Sequence, residues 1–300
     1  MTNAAGKPMI DRQVRVVVVG SLNHDITVWV PHRPGPDETL HGDRVAEFRG
    51  GKGANQAVAA ARLDADVSMV GCVGTDARAE FLVSGLDQDK IDRRYVSRAE
   101  APTGVAFITV DPDDVSIVVV AGANGELTSD LVVEAAAVIA DADVLLLQGE
   151  SPTLAAVSAA RIARDAGTLV VFNPAPYNEV AAAVVPYADV LMVNRHEAQL
   201  LADDVGEVAV PIVVTTLGAD GALVAERGVE TMVPAFTATV VDPTGAGDCF
   251  AAAFSVRFAE AGDAIEAATF AAAAGACAVE TAGAQPSLPT RAQVQDRLAT

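Results

Sequence analysis

The sequence predicts a doubly wound, mostly parallel α/β sheet flanked by helices, with a small β-sheet lid set apart from it. Three observations lead there. Short β-branched runs bounded by turn residues recur along the chain, alanine-rich stretches of helical length separate them, and two segments break that alternation. With 300 residues, 51% of them apolar, the chain can bury one large core.

In order, residues 14–20 read as the first buried strand. Residues 26–48, which hold Pro31, Pro34, Gly35 and Pro36 amid short extended pieces, read as antiparallel strands outside the main sheet. A helix over 54–63, a strand over 67–71 and a helix over 77–86 follow. Residues 104–120 alternate apolar and polar around an Asp-Pro-Asp-Asp turn and supply the second part of the lid. Such a lid would cover the carboxyl ends of the strands, where open α/β sheets bind ligands; an edge hairpin without a role has the same pattern. Helices over 130–140 and 154–166 alternate with strands over 144–148, 169–173, 190–194 and 212–217, and the last third is helical over 247–260, 264–281 and 291–298. The reading is one domain over residues 14–300 behind a polar tail, 1–13, that lacks the apolar centre of a signal peptide.

Forty acidic against twenty basic side chains give a formal charge of −20, which repels nucleic acid and anionic membrane surfaces alike. No apolar run approaches the roughly 18 residues of a membrane span. A phosphate ligand would therefore need local attraction, from backbone N–H groups at a helix start or from a metal ion. Cys72, Cys249 and Cys277 are odd in number and form no CxxC pair, which fits a reducing cytoplasm. Cys249 reads as a small buried residue, and the four histidines, His24, His32, His41 and His196, read mostly as surface groups.

Asp242-Pro-Thr-Gly-Ala-Gly-Asp248 follows an extended 239–241 and runs into an apolar helix, so its glycine-rich turn presents unpaired N–H groups to an anion. Asp248 at that mouth could accept the proton of a substrate hydroxyl during phosphoryl transfer, although an aspartate capping an ordinary helix looks the same. In Gly50-Gly-Lys-Gly-Ala-Asn55 small residues let the chain approach a ligand, and Asn55 offers both donor and acceptors. Asn23 and Asp25, just past the first strand, suit vicinal hydroxyls of a sugar, or are simply turn residues. Asn194 and Glu197 could orient waters on a Mg²⁺ carried by ATP, or form a capping box. Neither a Walker loop nor a dinucleotide fingerprint occurs, which argues against a nicotinamide dehydrogenase.

Taken together these residues resemble the PfkB carbohydrate kinases, and within that family the ribokinase branch. The resemblance runs from about Val16 to the C-terminus and rests on residues 20–25, 50–60 and 242–248, with 121–124, 149–152, 173–176, 216–221 and 283–289 in the same order. It implies ATP-dependent phosphorylation of the 5-hydroxyl of ribose. Asn23, Asp25, Gly51, Lys52, Asn55 and Glu150 would then surround the sugar, Asp248 would be the base, and Gly245, Ala246 and Gly247 the anion hole. Asn194 and Thr216, Leu217, Gly218, Ala219, Asp220 and Gly221, with Gly247 and Asp248, would line the ATP site, and Glu197 would order Mg²⁺ through water. The resemblance further implies a K⁺ activator held by Asp242, Thr244, Ala278, Thr281, Gly283 and Ser287, and a homodimer formed through the lids. Two departures bear on the nucleotide side: residues 201–211 are shorter than is usual, and Ala272 replaces a polar residue near the adenine. A kinase of the same fold for deoxyribose, fructose or a nucleoside, and a non-catalytic sugar or nucleotide sensor, remain as rival readings.

Overall fold

The structure is a computed structural model that describes residues 12–112, 115–206 and 209–300. In chain order it has β1 (Arg15–Val19), β2 (Asn23–Trp29), β3 (Arg44–Gly50), α1 (Lys52–Arg62), β4 (Asp66–Val73), α2 (Ala77–Gln88), β5 (Asp92–Arg98), β6 (Gly104–Val110) and β7 (Val115–Val120). There follow α3 (Ser129–Glu134), α4 (Ala136–Asp141), β8 (Val144–Gln148), α5 (Thr153–Ala166), β9 (Leu169–Asn173), α6 (Glu179–Val184), β10 (Val190–Asn194), α7 (Arg195–Asp204) and β11 (Ile212–Thr216). The chain ends with β12 (Ala222–Glu226), β13 (Val229–Val233), α8 (Ala246–Ala261), α9 (Ala264–Ala278), α10 (Ala284–Ser287) and α11 (Arg291–Leu298).

Nine strands form one sheet in the order β13-β12-β11-β10-β9-β8-β1-β4-β5. It is parallel from β11 to β5, and β12 and β13 are antiparallel. Both faces are covered, so each inner strand is an unbroken apolar run whose alternate residues enter different cores. Val16 and Val18 pack on the side of α1, α8 and α9, whereas Val17 and Val19 pack on the side of α3 to α6. Chain order reverses at β1, which has β4 on one side and β8 on the other. The crevice beyond the carboxyl ends of β1 and β8 is therefore where this topology leaves room for a ligand.

The lid is a separate four-stranded sheet in the order β3-β2-β6-β7. Its two hairpins are antiparallel as expected, but β2 and β6 join them in parallel. Asp76 anchors its root: one carboxylate oxygen caps α2 through the Ala79 N–H at 3.0 Å, and the other accepts the Thr103 N–H at 3.0 Å, just before β6.

Several sequence expectations change. Residues 130–140 form two short helices that meet at Ala135, and the helix begun at Ala264 ends at Ala278. Residues 239–241 form no strand. Strands β5, β12 and β13 had no place in the expected pattern: β5 and β13 are the sheet's edges, where polar residues interrupt the apolar run, and β12 is a short, half-buried run beside β13. His24 is buried rather than solvated, because it sits on β2 with its ring against Phe81 and Nε2 2.8 Å from Glu47. Residues 1–11 of the expected tail, 113–114 of the lid turn and 207–208 of the shortened segment lie outside the described residues. Cys249 is fully buried, and burial pushes its thiol far above the ordinary range.

Candidate active site

The crevice is built from glycines that allow backbones to touch. Leaving β1, the chain passes Gly20, where an added Cβ would lie 2.7 Å from the Gly53 Cα, and turns into β2. Gly51, at φ 89°, closes the far side, and a side chain there would meet the Asn23 N–H and Ser21 carbonyl. The absence of a side chain at Gly50 has a different use: a Cβ would stand 2.0 Å from the Asp25 carboxylate, so this glycine lets Asp25 point inward. Asn23 and Asp25 are thus buried as the first and third residues of the lid strand β2 rather than on a free loop.

Across the crevice, α8 starts after Gly245, whose φ of 80° turns the chain so that Ala246, Gly247 and Asp248 form the first helical turn. Asp248 is buried, and its two oxygens accept from the Asn55 amide at 2.9 Å and the Gln56 amide at 3.3 Å. Gln56 is itself oriented, because its Oε1 accepts from Gln148 Nε2 at 2.7 Å on β8. Asp242 braces the loop before α8: its oxygens accept the Thr244 N–H at 2.9 Å and the Gly283 N–H at 2.8 Å. Gly283, at φ 88°, lies against the Phe48 ring of the lid, so this loop and the lid touch.

Five charged groups, Asp25, Lys52, Glu150, Glu197 and Asp248, act on one another across the space between. Burial, followed by the Glu150 and Asp248 carboxylates, raises Asp25 to about 7, with Lys52 pulling the other way. Burial pulls the Lys52 ammonium down, but the carboxylates of Asp248, Glu150, Glu197 and Asp25 outweigh it and hold the group above its ordinary value. Glu150 accepts the Ser21 hydroxyl and the Lys52 N–H. Burial lifts Glu197 despite the N–H of Asn194. Among the described residues, the buried Oδ1 atoms of Asp25 and Asn55 have no hydrogen-bond partner. Two inward acceptors of this kind call for donors from a ligand, which the hydroxyls of a sugar supply.

Beyond Asp248 a cavity of about 220 Å³ is bounded by Lys52, Asn194, Glu197, Thr216, Gly245 and Gly247. It shares Thr216 and Gly247 with a second cavity of about 570 Å³ that also meets Gly218, Ala219 and Gly221. Leu217 and Asp220 line neither, and Asp220 instead pairs with Arg195 at 2.6 Å. Asn194 and Glu197 do form a capping box on α7, with reciprocal bonds of 2.8 and 2.9 Å. Glu197 nevertheless faces the same small cavity as Asp248, and two carboxylates on one cavity are oxygen donors of the kind a hydrated Mg²⁺ takes. Of the residues named for a monovalent cation, the Asp242 to Gly283 bond brings two separate loops together, while Ala278 is the last residue of α9 and Ser287 lies in α10.

Gln56 and Asn124 belong to the hydrogen-bond network of the crevice, a place that sequence reading did not assign them. Asn124 bridges the Leu22 backbone and donates to Asn23 Oδ1 at 2.7 Å, which leaves the Asn23 amide hydrogens for a ligand. The available signal was a bare amide in an otherwise alanine-rich helix or after a strand, a pattern shared by many surface residues.

Residues 13–291 match the pfkB family carbohydrate kinase profile. A ribokinase of Haemophilus influenzae is 36% identical over 94% of this chain and 98% of its own, and one of Bacillus subtilis is 35% identical over 94% and 99%. Among solved structures, a ribokinase of Thermotoga maritima superposes with a TM-score of 0.88 at 33% identity, covering 96% of this chain and all of the other. A ribokinase of Arabidopsis thaliana, complexed with ribose and ATP, gives 0.86 at 31%, again over 96% of this chain and all of the other. The profile match over most of the chain, with relatives of this identity covered nearly end to end, shows that the chain belongs to the pfkB family of carbohydrate kinases.

Proposed function

We propose that this protein phosphorylates D-ribose, transferring the γ-phosphoryl group of ATP to the 5-hydroxyl to give ribose 5-phosphate and ADP. The observation that carries the reading is the place of Asp248, which stands in the first turn of α8 and is hydrogen-bonded to Asn55, whose buried Oδ1 has no partner among the described residues. The sugar oxygen bonds to the γ-phosphorus, its proton passes to Asp248, and the bond to the bridging oxygen breaks with its electron pair left on ADP. The N–H groups after Gly245 and the ammonium of Lys52 face the charge that spreads over the transferring group. Closure of the lid would keep water from competing. Ribokinases at 35–36% identity over nearly the whole chain support ribose as the acceptor.

Glu197, beside Asp248, would hold Mg²⁺ through water, and that ion would neutralise phosphate charge. The loops joined by Asp242 and Gly283 would hold K⁺ and so brace the helix start. A coupled assay of ADP release tests the reading across ribose, 2-deoxyribose, fructose and adenosine. Ribose is expected to give the highest kcat/KM; a clear preference for another acceptor replaces it, and ribose binding without any ADP release makes the protein a sensor.

The raised value of Asp25 sets a pH dependence. Ribose hydroxyls donate to an ionised carboxylate, so binding in the free enzyme's protonated state must first release a proton. The Kd for ribose is expected to be flat above pH 7 and to weaken as pH falls below it, by up to tenfold per unit. Calorimetry in buffers from pH 5.5 to 8.5 checks this, and a Kd independent of pH would remove Asp25 from the hydroxyl contacts.

The lid also has a surface to cover. On β7, Ile117, Val118, Val119 and Val120 are all exposed, and Phe107 on β6 and Val45 on β3 join them. An apolar edge strand of this kind pairs or aggregates. We place a second copy of the chain there, so the protein is a homodimer through its lids. Light scattering at micromolar concentration is expected to give twice the chain's mass, and Val118→Lys to give the monomer mass.

A further inference from the structure

We infer that the donor site grips the triphosphate and scarcely reads the base, so that GTP and ITP serve as phosphoryl donors alongside ATP. The inference rests on the kinase reading above and concerns the larger cavity.

At about 570 Å³ that cavity can house a nucleoside. Among the described residues its lining contains no charged, amide, imidazole or phenol side chain, and its polar side chains are the hydroxyls of Thr216 and Thr237. Thr216 is turned toward the Val193 carbonyl at 3.4 Å. Helix α9 presents Ala272, Gly275 and Ala276, one helix face of the smallest residues, and a Cβ added at Gly275 would meet nothing within 4 Å. The opposite wall is apolar, with Val240 and Phe250.

The backbone beside it is largely engaged elsewhere. Arg297 takes the Thr237 carbonyl at 2.6 Å and pairs with Glu280 at 2.6 Å, and Glu280 accepts the Thr239 N–H at 3.3 Å. The Val241 and Asp242 N–H groups both go to the Val279 carbonyl, at 2.8 and 3.1 Å. Arg297 and Glu280 thus spend their charged groups on the strip between 237 and 242 and on each other, and neither lines the cavity. Adenine and guanine exchange donor for acceptor on the edge that distinguishes them. A site with matched buried groups rejects the wrong partner by about 10⁴-fold or more, whereas an apolar pocket discriminates by about 10²-fold at most. The phosphate end, with the helix start, Lys52 and Glu197, is the same for every nucleotide.

The test measures kcat/KM for ATP, GTP and ITP with saturating ribose, and separately the displacement of ADP by GDP in calorimetry. All three donors are expected within about a hundredfold of one another, with ADP and GDP binding in the same range; an ATP preference above that limit, or GDP failing to displace ADP, overturns the inference. If none of the three donors supported turnover, the kinase reading would be overturned, and the displacement experiment would still decide this one. Gly275→Leu, which fills open space, is expected to raise KM for ATP and GTP by the same factor and leave KM for ribose unchanged. A loss confined to ATP would show a base-reading contact and reject the inference.

Discussion

Replacing Asp248 with Asn is expected to lower kcat by about two to four orders of magnitude while ribose affinity changes only a few-fold, the signature of a lost general base. The carboxylate is held from two sides by the amides of Asn55 and Gln56, so the Asn variant fits the same volume but brings an amide against amides and has no site for the proton. It also removes one of the charges that lift Asp25. The pH at which ribose binding begins to weaken should therefore move below 7 in this variant. Steady-state kinetics and a calorimetric pH series read the two effects separately. Wild-type turnover in the variant would assign the proton to another acceptor.

Asp25→Asn is expected to raise KM for ribose by about 10² or more and, at pH 8, to raise Tm. The two effects have one origin. A carboxyl whose folded value stands near 7 against an ordinary 3.8 contributes stability in full below the ordinary value, and that contribution is lost as pH rises through about 7. At pH 8 the buried anion thus works against the fold and is retained for what it binds. The neutral amide keeps the shape that Gly50 accommodates but loses the acceptor charge. Thermal scans and ribose kinetics on one preparation check both, and a lower Tm with unchanged KM would make Asp25 a structural residue.

Much of this was legible in the residues. Inner strands such as β8 and β10 announce themselves because both faces are buried, which forces a continuous apolar run. The edge strands β5 and β13 lack that constraint, with sequences such as Asp92-Arg-Arg-Tyr that serve equally as loop. At the site, Asp248 and Asn55 were visible because glycine-rich turns frame them. Gln56 and Asn124 were not, since their roles depend on partners more than 90 residues away in the chain, Gln148 and Leu22. Asn194 and Glu197 show a different limit: a capping box and a metal-side carboxylate use the same two side chains, and the fold gives them the first geometry while leaving Glu197 at the cavity wall.

The bond from Gln148 to Gln56 gives the centre a fixed polarity. With its carbonyl oxygen occupied by Gln148, Gln56 has only hydrogens to turn toward Asp248, and Asn55 does the same from the other side. Such a socket fixes the direction in which the carboxylate faces, through a side chain carried by the central sheet. A displacement of β8 would thus reach Asp248 through the single side chain of Gln56, which ties the aim of the proposed base to the register of the central sheet.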